Sequence, residues 1–277
     1  MPEAKLASEI PDIQNNTEGF IKRKIYKVGV RNVDLPISII KKDGGLNHST
    51  ARISAYSDLD EHNKGVNMSR FRILLEECFL NKGLHLKDAM RDAMSELKER
   101  VGTDNAYIKV KFDYFTEKEA PVSHVKSLSI TKCILEGKLV NGAPRFFLTA
   151  DVWYTSLCPC SKEISNYNAH NQPSIGTIKV ELIEGEMCWI EDLIELVESC
   201  GSARIINILK RNDEKWQTEL MYENPIFVED IVRKVATKID DELLDKVVSD
   251  YVFVANHYES IHQSVATAVI SAGRELT

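Results

Sequence analysis

The chain has no apolar run approaching the ~20 residues that a membrane-spanning helix needs. Met1 to Glu18 is polar and acidic and has no apolar h-region, so no secretory leader is read there and a cytoplasmic location is expected. Basic charge is also short: 35 Lys and Arg stand against 42 Asp and Glu, a net charge of −7. No global positive field draws nucleic acid or an anionic membrane, and neither is expected as a partner. There is no Gly-x-Gly-x-x-Gly turn of the kind that cradles a dinucleotide pyrophosphate. Cysteine is sparse, with six in 277 residues. The one close pair, Cys158 and Cys160, has C-x-C spacing and no second pair to match it, which argues against a closed structural zinc module. In a reducing compartment all six are expected as free thiols; Cys78 and Cys200 fall on apolar helical stripes and read as core residues.

The remaining composition, 43% hydrophobic and 28% charged, is that of a globular chain with length for two modest domains or one large one. Ile25 to Ile40 is strand-like, with Pro36 marking an edge or a strand end. Ser49 to Tyr56 alternates, with Ala51, Ile53 and Ala55 on one face. Phe71, Leu74, Leu75, Cys78 and Phe79 form a helical stripe over Met68 to Leu80, capped by Asn67 or Ser69 and ended by Asn81-Lys82-Gly83. A second helix runs from Leu86 to Val101, closed by Gly102. Strands follow around Ile108 to Phe112 and Val125 to Leu135.

The same order recurs. Strands are expected over Arg145 to Tyr154 and Thr177 to Leu182, then a helix from Ile190 to Cys200. Asn224-Pro225 opens a long helix, Tyr251 to Ala255 is a short strand, and His262 to Ala272 is a strand or a helix. The pattern predicts an α+β fold of two ββααββ-like halves joined near Gly137 to Gly142, with an N-terminal arm over 1–20 and modules over 21–138 and 139–277. Open antiparallel sheets leave edges that oligomerisation can close.

The chemistry concentrates in Ser156 to Gln172. A thiol at Cys158 and an imidazole at His170 can together bind a transition metal or run nucleophilic chemistry; the plain alternative is packed cysteines and a surface histidine. A three-ligand site with an open position would take its carboxylate from elsewhere, and Glu214 within the charge run Lys210 to Lys215 is a candidate. That run otherwise reads as a solvated loop. Glu229 sits in an amphipathic helix. Asn256 to His262 follows a strand end, where Glu259 could grip a guanidine-like edge and His262 could exchange protons near neutral pH. Arg70, at a helix start, could meet phosphate.

These segments together resemble the type IB GTP cyclohydrolases. The likeness runs through Ser156-Leu157-Cys158-Pro159-Cys160-Ser161-Lys162-Glu163-Ile164-Ser165 and Ala169-His170-Asn171-Gln172. It continues at Gly29-Val30, Met68-Ser69-Arg70-Phe71, Ala120-Pro121-Val122-Ser123, Leu209-Lys210-Arg211, Asp213-Glu214-Lys215, Tyr222 to Pro225, Phe227 to Asp230 and Glu259-Ser260-Ile261-His262, collinear over about residues 25 to 272. The resemblance implies the tunnelling fold: two tandem ββααββ modules with antiparallel sheets and helices on one face, closing into barrels in a homotetramer with active sites at subunit interfaces. It implies hydrolysis of GTP at C8 to formate and 7,8-dihydroneopterin triphosphate, the first step of folate and related pterin or deazaguanine synthesis, with Mn, Zn or Fe(II). It also implies Cys158, His170 and Glu214 as metal ligands, Glu259 as purine anchor, and Glu229 and His262 as active-site groups beside the catalytic Cys158. Arg70, Lys126, Lys162 and Arg211 are candidates for the triphosphate.

The sequence departs from the family where Asn67 and Ser264 replace imidazoles. Two other readings follow: a purine- or pterin-binding homologue without efficient turnover, and a tunnelling-fold nitrile reductase that uses a cysteine nucleophile.

Overall fold

The computed structural model describes residues 20–80 and 83–273. The arm expected over residues 1–20 lies, but for Phe20, outside them. The first half contains β1 (Ile25–Ile40), β2 (Leu46–Leu59), α1 (Met68–Phe79), the two-residue β3 (Gly83–Leu84), α2 (Leu86–Val101), β4 (Ala106–Glu119) and β5 (Lys126–Val140). The second contains β6 (Ala143–Leu157), α3 (Pro159–Ile164), β7 (Asn171–Leu182), α4 (Ile190–Glu198), the two-residue β8 (Ala203–Arg204), α5 (Arg211–Glu223), α6 (Val228–Glu242), β9 (Val248–His257) and β10 (Ala266–Ser271).

The strands form one sheet in the order β10-β9-β7-β6-β5-β4-β2-β1-β3, with β8 pairing β6 off the path. The long strands are antiparallel throughout; β3 joins β1 in parallel. The run β1-β2-β4-β5 repeats as β6-β7-β9-β10, which is the repeat the sequence predicts. The halves meet in a hairpin: Val140 pairs with Ala143, and Asn141 (φ 50°) and Gly142 (φ 81°) supply the two left-handed residues that a tight turn matching strand twist requires.

Strand alternation sorts the sheet into two faces. Ala51, Ile53 and Ala55 of β2 and Ile108, Val110 and Phe112 of β4 are buried beneath Phe71, Leu74, Leu75 and Phe79 of α1 and Met90, Met94 and Leu97 of α2. In the second half, Ile178, Val180 and Phe253 lie under the stripes of α4 and α6. Each fully buried large apolar side chain contributes about 1.5–3 kcal/mol. The other face carries the alternate residues, among them Arg52 and Lys111, and is open.

Local expectations needed correction. α1 ends at Leu80, in an extended conformation, and Gly83 opens β3 opposite Ser38 instead of capping the helix; residues 81–82 lie outside the described residues. Asn67 occupies the N-cap without a side-chain capping bond. Cys78 is only half-buried, whereas Cys200 is buried as expected. The run read as a solvated loop is the start of α5. Its inward residues are the polar Asp213 and Gln217, so hydropathy carries no helical period there. The segment β7 to β9 thus holds three helices instead of two. The long helix starts at Val228, and Asn224 instead ends α5. The terminal segment resolves as a strand, β10.

Candidate active site

Antiparallel pairing brings the C-terminal ends of β4, β6 and β9 and the starts of β5, β7 and β10 to one end of the sheet. Leu157, the last residue of β6, pairs with Asn171, so the chain between them, which carries Cys158 and His170, loops out at this end. Pro159 sits at the first position of α3, and Cys158 is its N-cap, its Sγ accepting the Ser161 N–H at 3.4 Å. The Cys158 N–H donates to the His170 carbonyl at 3.1 Å, and the His170 N–H donates to Ser161 Oγ at 3.2 Å. Backbone and hydroxyl bonds therefore hold the two residues side by side.

The imidazole is oriented from beneath. His170 Nδ1 lies 2.9 Å from Gln172 Oε1. An amide oxygen only accepts, so Nδ1 carries the proton and Nε2 keeps its lone pair. The amide nitrogen of Gln172 donates to Ser156 Oγ at 2.8 Å, and Ser156 Oγ meets Ser174 Oγ at 2.9 Å. Ser202 Oγ accepts the Leu157 N–H at 3.0 Å. Gln172, Ser156, Ser174 and Ser202 are all buried. This polar platform under the loop was not anticipated from the sequence; its signal was Gln172 two residues after His170, on the same face of a strand.

The other predicted residues divide by position. Ile226 N–H donates to the Leu157 carbonyl at 3.0 Å, which brings the start of α6, and with it the exposed Glu229, to this end. His257, the last residue of β9, is buried with Nε2 3.1 Å from Tyr154 Oη. Burial pushes its pKa down to about 4, against the opposing charge of Glu229. Glu259 and His262 form a turn just beyond, Oε2 to Nε2 3.7 Å, the histidine exposed and the carboxylate mostly covered. Beside them the Trp153 and Tyr258 rings stack at 6.5 Å between centroids, and an open-face depression of about 350 Å3 lies against Trp153, Pro173 and Ile130.

α5 touches the Cys158–His170 loop with its last turn and the β4–β5 turn with its first. Its last turn touches the loop: Tyr222 Oη donates to the Ala169 carbonyl at 3.1 Å, and the Lys162 ammonium donates to the Tyr222 carbonyl. Its first turn is clamped to the β4–β5 turn by Asp213, which accepts from the Val122 N–H (2.8 Å), the Ser123 N–H (2.9 Å), Ser123 Oγ (2.6 Å) and the Lys210 N–H (2.8 Å). Burial would raise the Asp213 pKa, but these donors hold it well below the usual carboxylate range. Glu214 and Arg211 are exposed on this first turn. Lys126 pairs with Glu117 at 2.7 Å. Among the described residues no three His, Cys, Asp or Glu side chains converge as a metal-binding group, so one chain does not gather Glu214 with Cys158 and His170. Arg70 is at the far end of the sheet: α1 follows the other end of β2, and Arg70 Nη1 donates to the Arg100 carbonyl at 2.7 Å.

This architecture is that of the tunnelling fold. A uricase from Bacillus fastidious superposes with a TM-score of 0.52 at 10% identity over 88% of this chain and 92% of that one. A hyper-thermostable AgUricase mutant gives 0.52 at 7% identity over 91% and 92%. The family described as Type I GTP cyclohydrolase folE2 matches residues 10–268, and the chain belongs to that family. It is 43% identical over 251 residues to GTP cyclohydrolase FolE2 of Citrifermentans bemidjiense, covering 91% of both chains. It is 40% identical over 268 residues to GTP cyclohydrolase FolE2 of Geobacter metallireducens, covering 97% of this chain and 99% of the other.

Proposed function

We propose that this chain is a metal-dependent GTP cyclohydrolase of the type IB form, which hydrolyses GTP at C8 to formate and 7,8-dihydroneopterin triphosphate as the first step of folate or pterin synthesis. The observation that carries this reading is the family match over residues 10–268, which favours it over a nitrile reductase. The donor set of the loop supports it. A half-buried thiol and an imidazole whose Nε2 lone pair is free suit a borderline-soft divalent ion such as Zn, Fe(II) or Mn. Cys158 and His170 would hold the metal, and Glu214, which is not gathered with them within one chain, is the third ligand supplied from a neighbouring copy. When bound, the metal supplies Lewis acidity that makes water a nucleophile at neutral pH.

The chain's own groups do the rest. Glu259 accepts hydrogen bonds from the guanine edge, and the stacked Trp153 and Tyr258 offer the purine an aromatic surface. His262, next to Glu259, donates a proton to N7 so that C8 becomes electrophilic. Glu229 sets the charge beside this end of β9. Lys162, Arg211 and Lys126 bind the triphosphate. Arg70 sits across the sheet from these groups, so its role in phosphate binding belongs to a neighbouring copy, consistent with a homotetramer whose sites lie between subunits. No helix among the described residues is long and apolar enough to cross a membrane, and the cytoplasm is the proposed location.

The test is to strip the protein of metal, add Mn, Zn or Fe(II) separately with GTP, and follow formate and oxidised neopterin fluorescence. Metal-dependent product is expected. GTP binding without product from any of the three would reject the assignment in favour of a non-catalytic homologue and direct attention to Asn67 and Ser264.

A further inference from the structure

The open face of β1, β2 and β4 encloses a depression of about 190 Å3 on which Arg31, Arg52, Lys109 and Lys111 converge, in a chain whose net charge is −7. Asp34 pairs with Arg52 at 2.8 Å and Glu136 with Lys109 at 2.8 Å. Arg31 and Lys111 make no ion pair among the described residues. Like charges are thus assembled with two of them left uncompensated.

The backbone is shaped for this arrangement. The β1–β2 register steps from Val30↔Ala55 to Val33↔Ile53, so one extra residue on β1 forms a bulge at Arg31-Asn32. Asn32 adopts φ 57°, and its N–H donates to Ser54 Oγ at 3.3 Å. Just before it, a Cβ on Gly29 would lie 2.1 Å from the Ala55 carbonyl oxygen, so only glycine permits this approach of the two strands. Bulges re-aim side chains and recur beside binding sites; this one carries Arg31 to the depression.

We propose that this depression is a binding site for the di- or triphosphate group of a small anion, separate from the Cys158–His170 end of the sheet. β1 and β4 flank β2, so Arg31 and Lys111 stand on strands roughly 10 Å apart, a span that suits an extended phosphoanhydride better than a single phosphate. Arg31 provides a bidentate fork and Lys111 a compact charge. Lys111 aligns through Ile134 with Thr149, which lies roughly 30 Å along β6 from Cys158. The site does not depend on the proposed catalytic activity.

Inorganic triphosphate, titrated calorimetrically into the metal-free full-length protein at low ionic strength, is the probe. Wild type is expected to bind it, the exposed Arg31→Gln/Lys111→Gln pair to weaken binding at least tenfold, and Lys111→Gln alone to weaken it severalfold. Lys162→Ala/Arg211→Ala, which alters the proposed catalytic phosphate contacts, should retain this binding event. Absence of binding in wild type, or binding lost in Lys162→Ala/Arg211→Ala and unchanged in Arg31→Gln/Lys111→Gln, overturns the proposal. Loss of GTP turnover in parallel with lost triphosphate binding in Arg31→Gln/Lys111→Gln would place the depression within the catalytic site and equally overturn its separateness. A wild type inactive on GTP leaves the titration unaffected, so the two readings fail independently.

Discussion

His170 illustrates what one neighbour does to a residue. Gln172 holds Nδ1 protonated, and outer-shell partners of this kind change metal affinity by about 10–100-fold. Gln172→Leu, which cannot accept that bond, should lower metal affinity within this range as measured by chelator competition, whereas Gln172→Glu should recover most of it. An unchanged affinity in Gln172→Leu would remove Gln172 from this positioning role. His257 makes a different prediction. Its folded pKa, about 4, lies below the ordinary histidine value of ~6.5, so between these values the unfolded chain binds more protons. The stabilisation is complete above ~6.5 and is lost as pH falls towards 4, on the order of 3 kcal/mol in total. In His257→Phe, urea-unfolding midpoints should vary less over this window than in wild type; an equal pH slope would show that His257 is not neutral in the folded chain. Neither residue's environment was legible in the sequence. Gln172 and His257 were both in view within polar motifs, but only the strand register places the first under an imidazole and buries the second against Tyr154.

Among the elements, α5 is the one whose sequence carries least sign of a helix. Its inward residues are polar because its partner is the β4–β5 turn, which presents N–H groups and a hydroxyl in place of apolar surface. A helix that docks by hydrogen bonds has no apolar stripe to find. α1 and α2 dock by apolar packing, and the stripe of α1 is legible in the sequence nearly residue for residue. The clamp has a pH signature. Asp213 is held below its unfolded pKa, so its contribution is complete above about pH 4 and is lost as pH falls below that value. Asp213→Asn should be less stable than wild type at neutral pH and lose less stability on acidification below pH 4, measured by urea unfolding. An unaltered acid limb would mean that Asp213 does not clamp α5. By contrast, Phe71→Ala, in the apolar face of α1 and fully buried, should cost about 3–5 kcal/mol at any pH.

At the scale of the whole molecule, the repeat was legible because strand alternation and helix stripes recur in the same order in both halves. The pairing of β5 with β6 into one continuous sheet is also written in the sequence, since Asn141-Gly142 between two strand-like runs is a strong hairpin signal; reading Gly137 to Gly142 as a plain joint between halves passes over it. The edges at β10 and at β1, which the two-residue β3 covers only at Ser38 and Ile39, and the placement of Arg70 at the opposite end from Cys158 if it binds phosphate as proposed, both point to assembly. If neighbouring copies complete each other's sites, mixing inactive Arg70→Ala with inactive Cys158→Ala and allowing exchange should restore part of the GTP turnover. No restoration in mixed assemblies would confine the site to one chain. Cys158 and His170 are proposed to hold a hydrolytic metal. The most direct test measures bound metal and formate release from GTP in wild type and Cys158→Ala side by side. About one metal per chain and formate release are expected in wild type, with both lost in Cys158→Ala while it still unfolds at the wild-type temperature. Formate release by Cys158→Ala at the wild-type rate would contradict the metal assignment.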